Sequence, residues 1–314
     1  MGWMPRPRSL VDFGGRRCLI GGVAATFLDH VWQCLMQAAT MPMPSDPEQV
    51  RQAHAALWDS FGASNEGLRA RCLPAGSPVP MWRVEPEGPS PVAGAVVSFH
   101  AGGWALGSAR GEAALLVEVA DLTGRTVFGV DYSLVPGACF PVQVGEAEEA
   151  IAAVCAEFGD VLVSGCSAGG QLALAGVLAL RGSDPAAFAK VSGLRLMSPG
   201  TDLRPDAPAW REELATDWVK PVPLRASVEA YLAGADPENP LASPVLADLR
   251  GLPPVRMQAC AEEALAIDNR AFVAALSAAG VAVDYEEVSG VPHAFHLLPG
   301  TVPAARDALR RLFA

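Results

Sequence analysis

Short, continuously apolar runs alternate with segments of helical periodicity along most of this chain, and this alternation constrains its fold more than any other feature. The apolar runs cover residues 78–85, 94–103, 126–132, 160–167, 193–200, 254–260 and 282–290. The helical segments cover residues 111–124, 145–159, 168–182, 267–279 and 303–313. A strand buried on both faces is apolar at successive positions. The sequence therefore predicts an α/β protein whose mostly parallel central sheet is covered by helices on both faces.

The segment from about residue 200 to 250 interrupts this alternation. It is rich in proline, tryptophan and acidic residues, and it has helical stretches without a strong strand pattern. An excursion of this length between two core strands is typical of a functional insertion. We therefore predict that it forms a lid.

The N-terminal extension, residues 1–44, differs from the rest of the chain. An arginine pair at 16–17 precedes an apolar run, which loosely matches a twin-arginine signal, but polar residues interrupt that run and no small-residue cleavage site follows. The run is also too short to span a bilayer. Apolar residues from 27 to 36 recur at helical spacing. We expect either a short amphipathic helix or poorly ordered sequence upstream of a true start at Met41 or Met43.

The composition excludes several classes of function. Hydrophobic residues make up 51% of the 314 positions and charged residues 18%, which is enough apolar material for a large core. A net charge of −11 argues against a nucleic-acid partner, because phosphate binding needs a basic surface. The seven cysteines are scattered and include no C-x-x-C pair. We therefore predict free thiols in a reducing, cytoplasmic compartment, with neither a disulfide framework nor a zinc site.

The stretch GCSAG at residues 165–169 carries the strongest signal for chemistry. It fits the pattern G-x-S-x-G, follows an apolar strand and begins an Ala/Leu-rich helix. In that context the serine lies on a tight, strained turn that exposes its hydroxyl, and the helix N-terminus favours negative charge beside it. We predict that Ser167 is the nucleophile. Cys166 precedes it on a strand that alternates faces, so its side chain should point away from the base.

A serine nucleophile needs a base, and the base needs an orienting acid. In the chain order serine, acid, histidine, only His293 and His296 follow Ser167. His293 is the first residue free of the last strand and is the predicted base, whereas His296 is interpreted as structural. The acid should follow strand 254–260, where Glu262 and Glu263 are adjacent, and their spacing does not decide between them.

The segment HAGGW, residues 100–104, directly follows a core strand. Its glycines leave the N–H groups of Gly102 and Gly103 open to a substrate, and Ala168 offers a third N–H group. These donors are the predicted oxyanion hole, in which one donor contributes roughly 3 kcal/mol to transition-state binding. His100 is interpreted as a scaffold for this loop.

With these motifs in place, residues 45–314 resemble the hormone-sensitive-lipase-like branch of the α/β-hydrolases. HAGGW is similar to that family's HGGG-type loop, with Ala101 in place of its first glycine. DYSLVPG is similar to the segment Asp-Tyr-Arg-Leu-Ala-Pro-Glu, with Ser133 for the arginine and Gly137 for the glutamate. GCSAGGQ resembles Gly-Asp-Ser-Ala-Gly-Gly-Asn, with Cys166 for the aspartate, and VSGVPHAFH resembles the catalytic-histidine loop.

The resemblance implies an α/β-hydrolase fold over residues 45–314, with a lid built from about 45–75 and 200–245. The family's acid stands two residues before a leucine, which is Leu265 here, so the resemblance favours Glu263 over Glu262. The lid shapes the acyl and alcohol pockets in such proteins. It therefore makes substrate-binding candidates of four residues, each of which could instead pack the core or the lid: Trp104, Trp210, Trp218 and Leu224.

Ser167, Glu263 and His293 together predict a serine esterase or lactone hydrolase that acts through an acyl-enzyme on a small to medium apolar substrate. The early segment RCLPAGSPVPMWRVEP is similar to the monoterpene ε-lactone hydrolase subgroup. Acyl transfer or elimination with the same triad is the alternative, and a non-catalytic small-molecule receptor is a further one. We expect no metal, no organic cofactor and no stable membrane insertion, and the sequence leaves open a homodimer.

Overall fold

The computed structural model describes residues 9–13, 16–20, 70–72, 79–87, 92–210, 221–300 and 302–314. The chain divides into two compact units, Met1–Pro44 and Ser45–Ala314. In the first unit, β1 (Ser9–Phe13) and β2 (Arg16–Ile20) pair antiparallel. The expectation for the extension as a whole stays a prediction, because most of residues 1–44 lie outside the described residues. The helix expected from 27 to 36 lies outside the described residues.

In the second unit, the described residues form an eight-stranded sheet in the order β10–β9–β8–β7–β5–β6–β4–β3. The strands are β3 (Ala70–Cys72), β4 (Met81–Val84), β5 (Ala95–Phe99), β6 (Thr126–Val130), β7 (Val161–Cys166), β8 (Val191–Met197), β9 (Val255–Cys260) and β10 (Val283–Val288). Among them, only β4 runs antiparallel to its neighbours, β3 on one side and β6 on the other, near one edge of the sheet. The predicted, mostly parallel α/β sheet is confirmed, and the three-residue β3 is an addition to it.

Helices cover both faces of this sheet, as the apolar strand pattern predicts. They are α1 (Ala113–Thr123), α2 (Val142–Glu157), α3 (Ala168–Ser183), α4 (Pro185–Phe188), α5 (Pro221–Leu232), α6 (Leu265–Ala278) and α7 (Pro303–Phe313). Successive strand residues alternate between two apolar clusters: Val97 faces the cluster that contains α2 and α3, and Val96 faces the one that contains α1 and α7.

Two helices differ from the sequence expectation. Helix α2 begins at Val142 rather than at Gly145, because Gln143 and Val144 are buried and extend its packed face. The short α4 was not predicted. It begins where the Asp184 side chain accepts the N–H groups of the second and third residues of the helix, which is a standard N-cap.

The loops after β5 and β7 lie at the point where the order in which strands are added to the sheet changes from one side to the other. Strand β5 leads through α1 to β6 on one side, whereas β7 leads through α3 to β8 on the other. Open α/β sheets bind ligands in the crevice at the carboxyl ends of such neighbouring strands. The segment HAGGW follows β5 and Ser167 follows β7, so both flank this crevice.

The insertion after β8 is helical where it is described. It contains α5 and the 3₁₀ turns Pro208–Trp210 and Pro244–Leu246, and no strand lies among the described residues from 200 to 250. Its role as a lid stays a prediction, as does the contribution of 45–75, most of which lies outside the described residues.

Candidate active site

Ser167 lies on a strained turn between β7 and α3. Its φ is 55° and its ψ is −118°, a region that non-glycine residues seldom adopt. The surrounding backbone fixes this conformation: the Ser167 N–H donates to the Met197 carbonyl at 2.9 Å, and the Ser167 carbonyl accepts the N–H of Gly200 at 3.1 Å. The half-buried side chain is therefore held at the carboxyl end of the sheet.

The glycines of GCSAGG are required by close backbone approach. A Cβ at Gly165 would lie 2.2 Å from the Gly169 carbonyl oxygen, and a Cβ at Gly169 would lie 2.1 Å from that of Phe99. A Cβ at Gly170 would lie 2.8 Å from the Pro199 side chain. The strand, the turn and the helix can therefore meet at this angle only with glycine at these positions.

Glu263 and His293 form a buried pair on the loops that follow β9 and β10. His293 is 4% exposed and Glu263 is fully buried. The Nδ1 atom of His293 donates to Glu263 Oε2, and the other carboxylate oxygen accepts the N–H of Cys260 at 3.1 Å. The two strands are parallel to β7, so both loops open at the same edge of the sheet as Ser167.

The neighbouring Glu262 points elsewhere. Its Oε2 accepts the N–H of Gly290 at 3.1 Å, which ties the loop after β9 to the end of β10. The two residues lie in a turn between β9 and α6, and their side chains leave it in different directions. The structure therefore distinguishes the two glutamates that spacing left open, and it brings only Glu263 to the histidine.

Within the described part of the chain, the backbone N–H groups of Gly102, Gly103 and Ala168 donate to no backbone carbonyl. Ala168 is the first residue of α3, so its N–H is one of the unpaired donors at a helix N-terminus. Gly102 has a φ of +129° and a Cβ there would lie 2.2 Å from the Leu106 carbonyl oxygen. This geometry suits donors for a developing oxyanion.

The other described histidines outside the pair are structural. His296 is fully buried, its Nε2 contacts Gln258 Oε1 at 3.0 Å, and burial lowers its pKa to about 3. His100 stacks on Tyr132 with ring centroids 4.1 Å apart, and burial lowers its pKa as well. Both rings are therefore neutral packing groups at neutral pH, in agreement with their interpretation as scaffold residues.

Cys166 is fully buried in the apolar cluster that contains α1 and α7. Burial raises the pKa of its thiol well above the usual value, and the nearby charges of Glu112 and Glu263 raise it further. A neutral, enclosed thiol is a poor nucleophile. Its side chain therefore lies on the face of β7 that is opposite the cluster containing α2 and α3, and it is shielded from solvent.

Three of the four substrate-binding candidates lie within the described residues. Trp104 is 2% exposed and its indole N–H donates to Gln171 at 3.1 Å, so it packs the core behind the glycine loop. Trp210 is 6% exposed, and its indole N–H donates to the carbonyl of Arg204. Leu224 is partly buried against the core. Trp218 lies outside the described residues, and a substrate contact stays a prediction for all four.

Two braces of the site were not found from sequence. Glu112 is 2% exposed, and its Oε1 accepts the N–H of Ala101 at 2.7 Å. Ser133, which replaces the family's arginine, donates its hydroxyl and its N–H to Glu146 at 2.5 and 2.7 Å. The only sequence signal for either acid was its place at a helix start or on a helix face, where acids are ordinary.

A family model described as alpha/beta hydrolase fold matches residues 96–297. The chain belongs to the α/β-hydrolase family. The match includes the loop of Gly102, the elbow of Ser167 and the pair of Glu263 and His293. Among the described residues, this α/β-hydrolase has no helix long and apolar enough to cross a membrane and no cluster of three metal-ligating side chains.

Individual relatives support the hormone-sensitive-lipase-like branch of the family. The protein LipR of Mycobacterium tuberculosis (strain ATCC 25618 / H37Rv) is 34% identical over 243 residues, which are 75% of this chain and 76% of LipR. An acetyl-hydrolase of Streptomyces hygroscopicus is 35% identical and covers 67% of this chain and 71% of its own length. The crystal structure of an esterase from the bacterial hormone-sensitive lipase family superposes with a TM-score of 0.82 at 27% identity, over 93% of this α/β-hydrolase and 97% of the esterase.

Proposed function

We propose that this α/β-hydrolase cleaves a small to medium apolar carboxylic ester through an acyl-enzyme formed on Ser167. The coarser class, a carboxylic ester hydrolase, follows from the family and from the esterase and acetyl-hydrolase relatives. The observation that carries the mechanism is the hydrogen bond between buried Glu263 and His293, on loops that open at the same edge as the Ser167 elbow.

In the first half of the proposed reaction, His293 Nε2 takes the proton of the Ser167 hydroxyl as its oxygen attacks the ester carbonyl carbon. Glu263 holds the proton on Nδ1, so that Nε2 is free to act as the base, and it stabilises the imidazolium that forms. The carbonyl oxygen becomes an oxyanion and accepts the N–H groups of Gly102, Gly103 and Ala168. His293 then gives its proton to the leaving alcohol, and the acyl group stays on Ser167.

In the second half, a water molecule replaces the alcohol. His293 removes a proton from this water, whose oxygen attacks the acyl carbon and forms a second oxyanion in the same place. Collapse of this intermediate breaks the acyl–serine bond and returns the proton to Ser167. The acid product and the free enzyme result, and every proton in the cycle is carried by His293.

A short acyl group is the proposed preference among esters. The name of the Streptomyces relative, an acetyl-hydrolase, supports this preference. A hydrolase with this site also opens a lactone by the same steps, in which the alcohol remains attached to the acyl group. A lactone substrate is therefore a second arm of the test below.

The test is the hydrolysis of p-nitrophenyl esters from acetate to decanoate, and of a series of lactones, by the wild type and by Ser167→Ala. We expect Ser167→Ala to lose at least about a thousandfold in kcat, as removal of a nucleophile does in serine hydrolases. The matched control is Cys166→Ala, which removes the neighbouring nucleophilic atom and should keep most of the activity. Equal rates for wild type and Ser167→Ala would refute the mechanism, and a product ratio that shifts to a new ester when methanol is added would identify acyl transfer.

A further inference from the structure

Glu112 is a buried acid without a charged partner beside the glycine loop. It directly precedes α1, it is 2% exposed, and among the described residues it forms no ion pair. Its Oε1 accepts the N–H of Ala101 at 2.7 Å. Burying a carboxyl group costs free energy, and an apolar side chain would fill the same space without that cost. The contact with Ala101 is therefore the feature that needs an explanation.

The backbone of the loop that Glu112 contacts depends on its surroundings to keep one conformation. Gly102, Gly103 and Trp104 have φ values of 129°, 59° and 59°. Glycine adopts positive φ at no steric cost and so leaves the chain mobile, whereas the tryptophan is strained at its φ of 59°. Such a segment keeps one conformation only when its surroundings fix it, and the direction of its N–H groups depends on that conformation.

The surroundings fix the loop at its start and at its end. At its end, the Trp104 indole N–H donates to Gln171 at 3.1 Å. At its start, the Tyr132 hydroxyl donates to the His100 carbonyl at 2.8 Å, and Glu112 accepts the Ala101 N–H of the same peptide group. These two contacts together fix both polar atoms of the peptide group that comes one residue before the N–H of Gly102.

Glu112 also stands on the side of the sheet where the family's second carboxylate is missing. Cys166 occupies the position that carries aspartate in the family, and it lies in the same apolar cluster as α1. The charge of Glu112 reaches both Cys166 and Tyr132 and raises the pKa of each, after the larger effect of burial. Glu112 is thus a carboxyl group that contacts the glycine loop and lies close to Cys166, where the resembling family has aspartate.

We propose that Glu112 is a positioning residue for ester hydrolysis: by accepting the Ala101 N–H, it holds Gly102 and Gly103 with their N–H groups directed at the reacting carbonyl oxygen. The inference rests on the function proposed above. It requires an acceptor at this place rather than a charge, since a neutral side-chain oxygen accepts the same N–H.

Three variants separate these requirements. Glu112→Gln keeps an acceptor of the same length, whereas Glu112→Met keeps the volume and removes the acceptor. The matched control is Thr126→Val, which removes another buried hydrogen bond, that of the Thr126 hydroxyl to Glu85, at the amino end of β6 and so at the opposite edge of the sheet. For each protein, kcat and KM are measured with p-nitrophenyl butyrate, and Tm by thermal unfolding.

We expect Glu112→Met to lower kcat about 10- to 100-fold with KM changed less than about threefold, because a displaced oxyanion donor weakens binding of the transition state and not of the substrate. Glu112→Gln should keep kcat within about threefold, and Thr126→Val should lower Tm without changing kcat. Glu112→Asp, whose carboxylate is one methylene short of Ala101, repeats the test if the methionine variant is insoluble.

A folded Glu112→Met or Glu112→Asp protein with wild-type kcat would overturn the inference. So would a glutamine variant that loses as much kcat as the methionine variant, since charge and not acceptance would then be required. Failure of the proposed function looks different: the wild type would hydrolyse no ester, and a fluorophosphonate probe would not label Ser167.

Discussion

Trp104 and Tyr231 stack with their ring centroids 4.4 Å apart, and both donate to the same atom, Gln171 Oε1. Trp104 belongs to the glycine loop, Tyr231 to α5 of the insertion, and Gln171 to the first turn of α3. The amide group of Gln171 also donates to the Leu241 carbonyl at 2.6 Å. One side chain next to the elbow therefore joins the glycine loop to two segments of the insertion, α5 and the chain at Leu241.

Replacing the shared acceptor should cost more than replacing one donor. Gln171→Leu leaves the buried Trp104 indole and the Leu241 carbonyl without partners, and we expect it to lower the free energy of unfolding by about 2–4 kcal/mol. Tyr231→Phe keeps the stack and loses a bond of 3.4 Å, so its cost should stay below about 1 kcal/mol. Urea unfolding of both variants measures the difference, and equal costs would contradict the shared anchor.

The two adjacent glutamates should differ sharply in catalysis. Glu263→Gln keeps the shape of the side chain but no longer accepts the proton of His293 Nδ1 as a carboxylate does, so kcat should fall by about 10²- to 10⁴-fold. Glu262→Gln changes a group that contacts Gly290 and should keep kcat within about threefold. Steady-state kinetics on p-nitrophenyl butyrate compares them, and similar losses in both would mean that the carboxylates act through general charge.

The family's aspartate should not be tolerated at position 166. Cys166→Asp places a carboxyl group in an apolar cluster close to Glu112 and Glu263, and we expect the free energy of unfolding to fall by about 3 kcal/mol or more. Cys166→Ala should cost only about 1–2 kcal/mol. Chemical denaturation of both variants tests this, and a Cys166→Asp protein as stable as the wild type would show that the site still has room for the second carboxyl group.

Glu112 should make the stability of the protein fall as pH rises. Burial raises the pKa of this acid from 4.5 to about 8, against the opposing effect of the Ala101 N–H. The folded state therefore keeps a proton that the unfolded chain releases above about pH 4.5, and the stability that this proton confers is lost as pH rises to about 8.

Glu112→Gln cannot ionise and should not show this loss. Between pH 5 and 8, its free energy of unfolding should rise relative to the wild type by about 3 kcal/mol. The matched control is Glu149→Gln, an exposed acid on α2, which should follow the wild-type profile. Parallel profiles for wild type and Glu112→Gln would show that Glu112 is charged in the folded protein at neutral pH.

The features that the sequence predicts well are those written in short, local patterns. The apolar runs predict the central strands because burial on both faces leaves no polar position, and the glycines around Ser167 predict the elbow because only they permit its backbone contacts. Chain order leaves His293 and His296 as candidate bases, and the end of the last predicted strand favours His293. The sequence could not separate Glu262 from Glu263 by spacing, since the difference is the direction in which each side chain leaves the loop.

The contacts that hold the site in place could not be predicted from local sequence patterns. Glu112 and Ala101, or Ser133 and Glu146, are ordinary residues in sequence, and their roles exist only once distant segments are packed together. Trp104 shows the same limit: its place beside the proposed oxyanion donors makes it a substrate-binding candidate, and only packing shows that its indole group stacks on Tyr231 and donates to Gln171.

The order of strands in the sheet also means that different parts of the site differ in their resistance to local unfolding. The loops that carry Gly102 and Ser167 leave β5 and β7, which have hydrogen-bonded strands on both sides. His293 follows β10, which among the described residues pairs with β9 alone and is partly exposed along its length. Terminal strands open before central ones. Under mild destabilising conditions, the proposed base should therefore separate from the proposed nucleophile while the elbow and the glycine loop stay folded, so that activity is lost before the core unfolds.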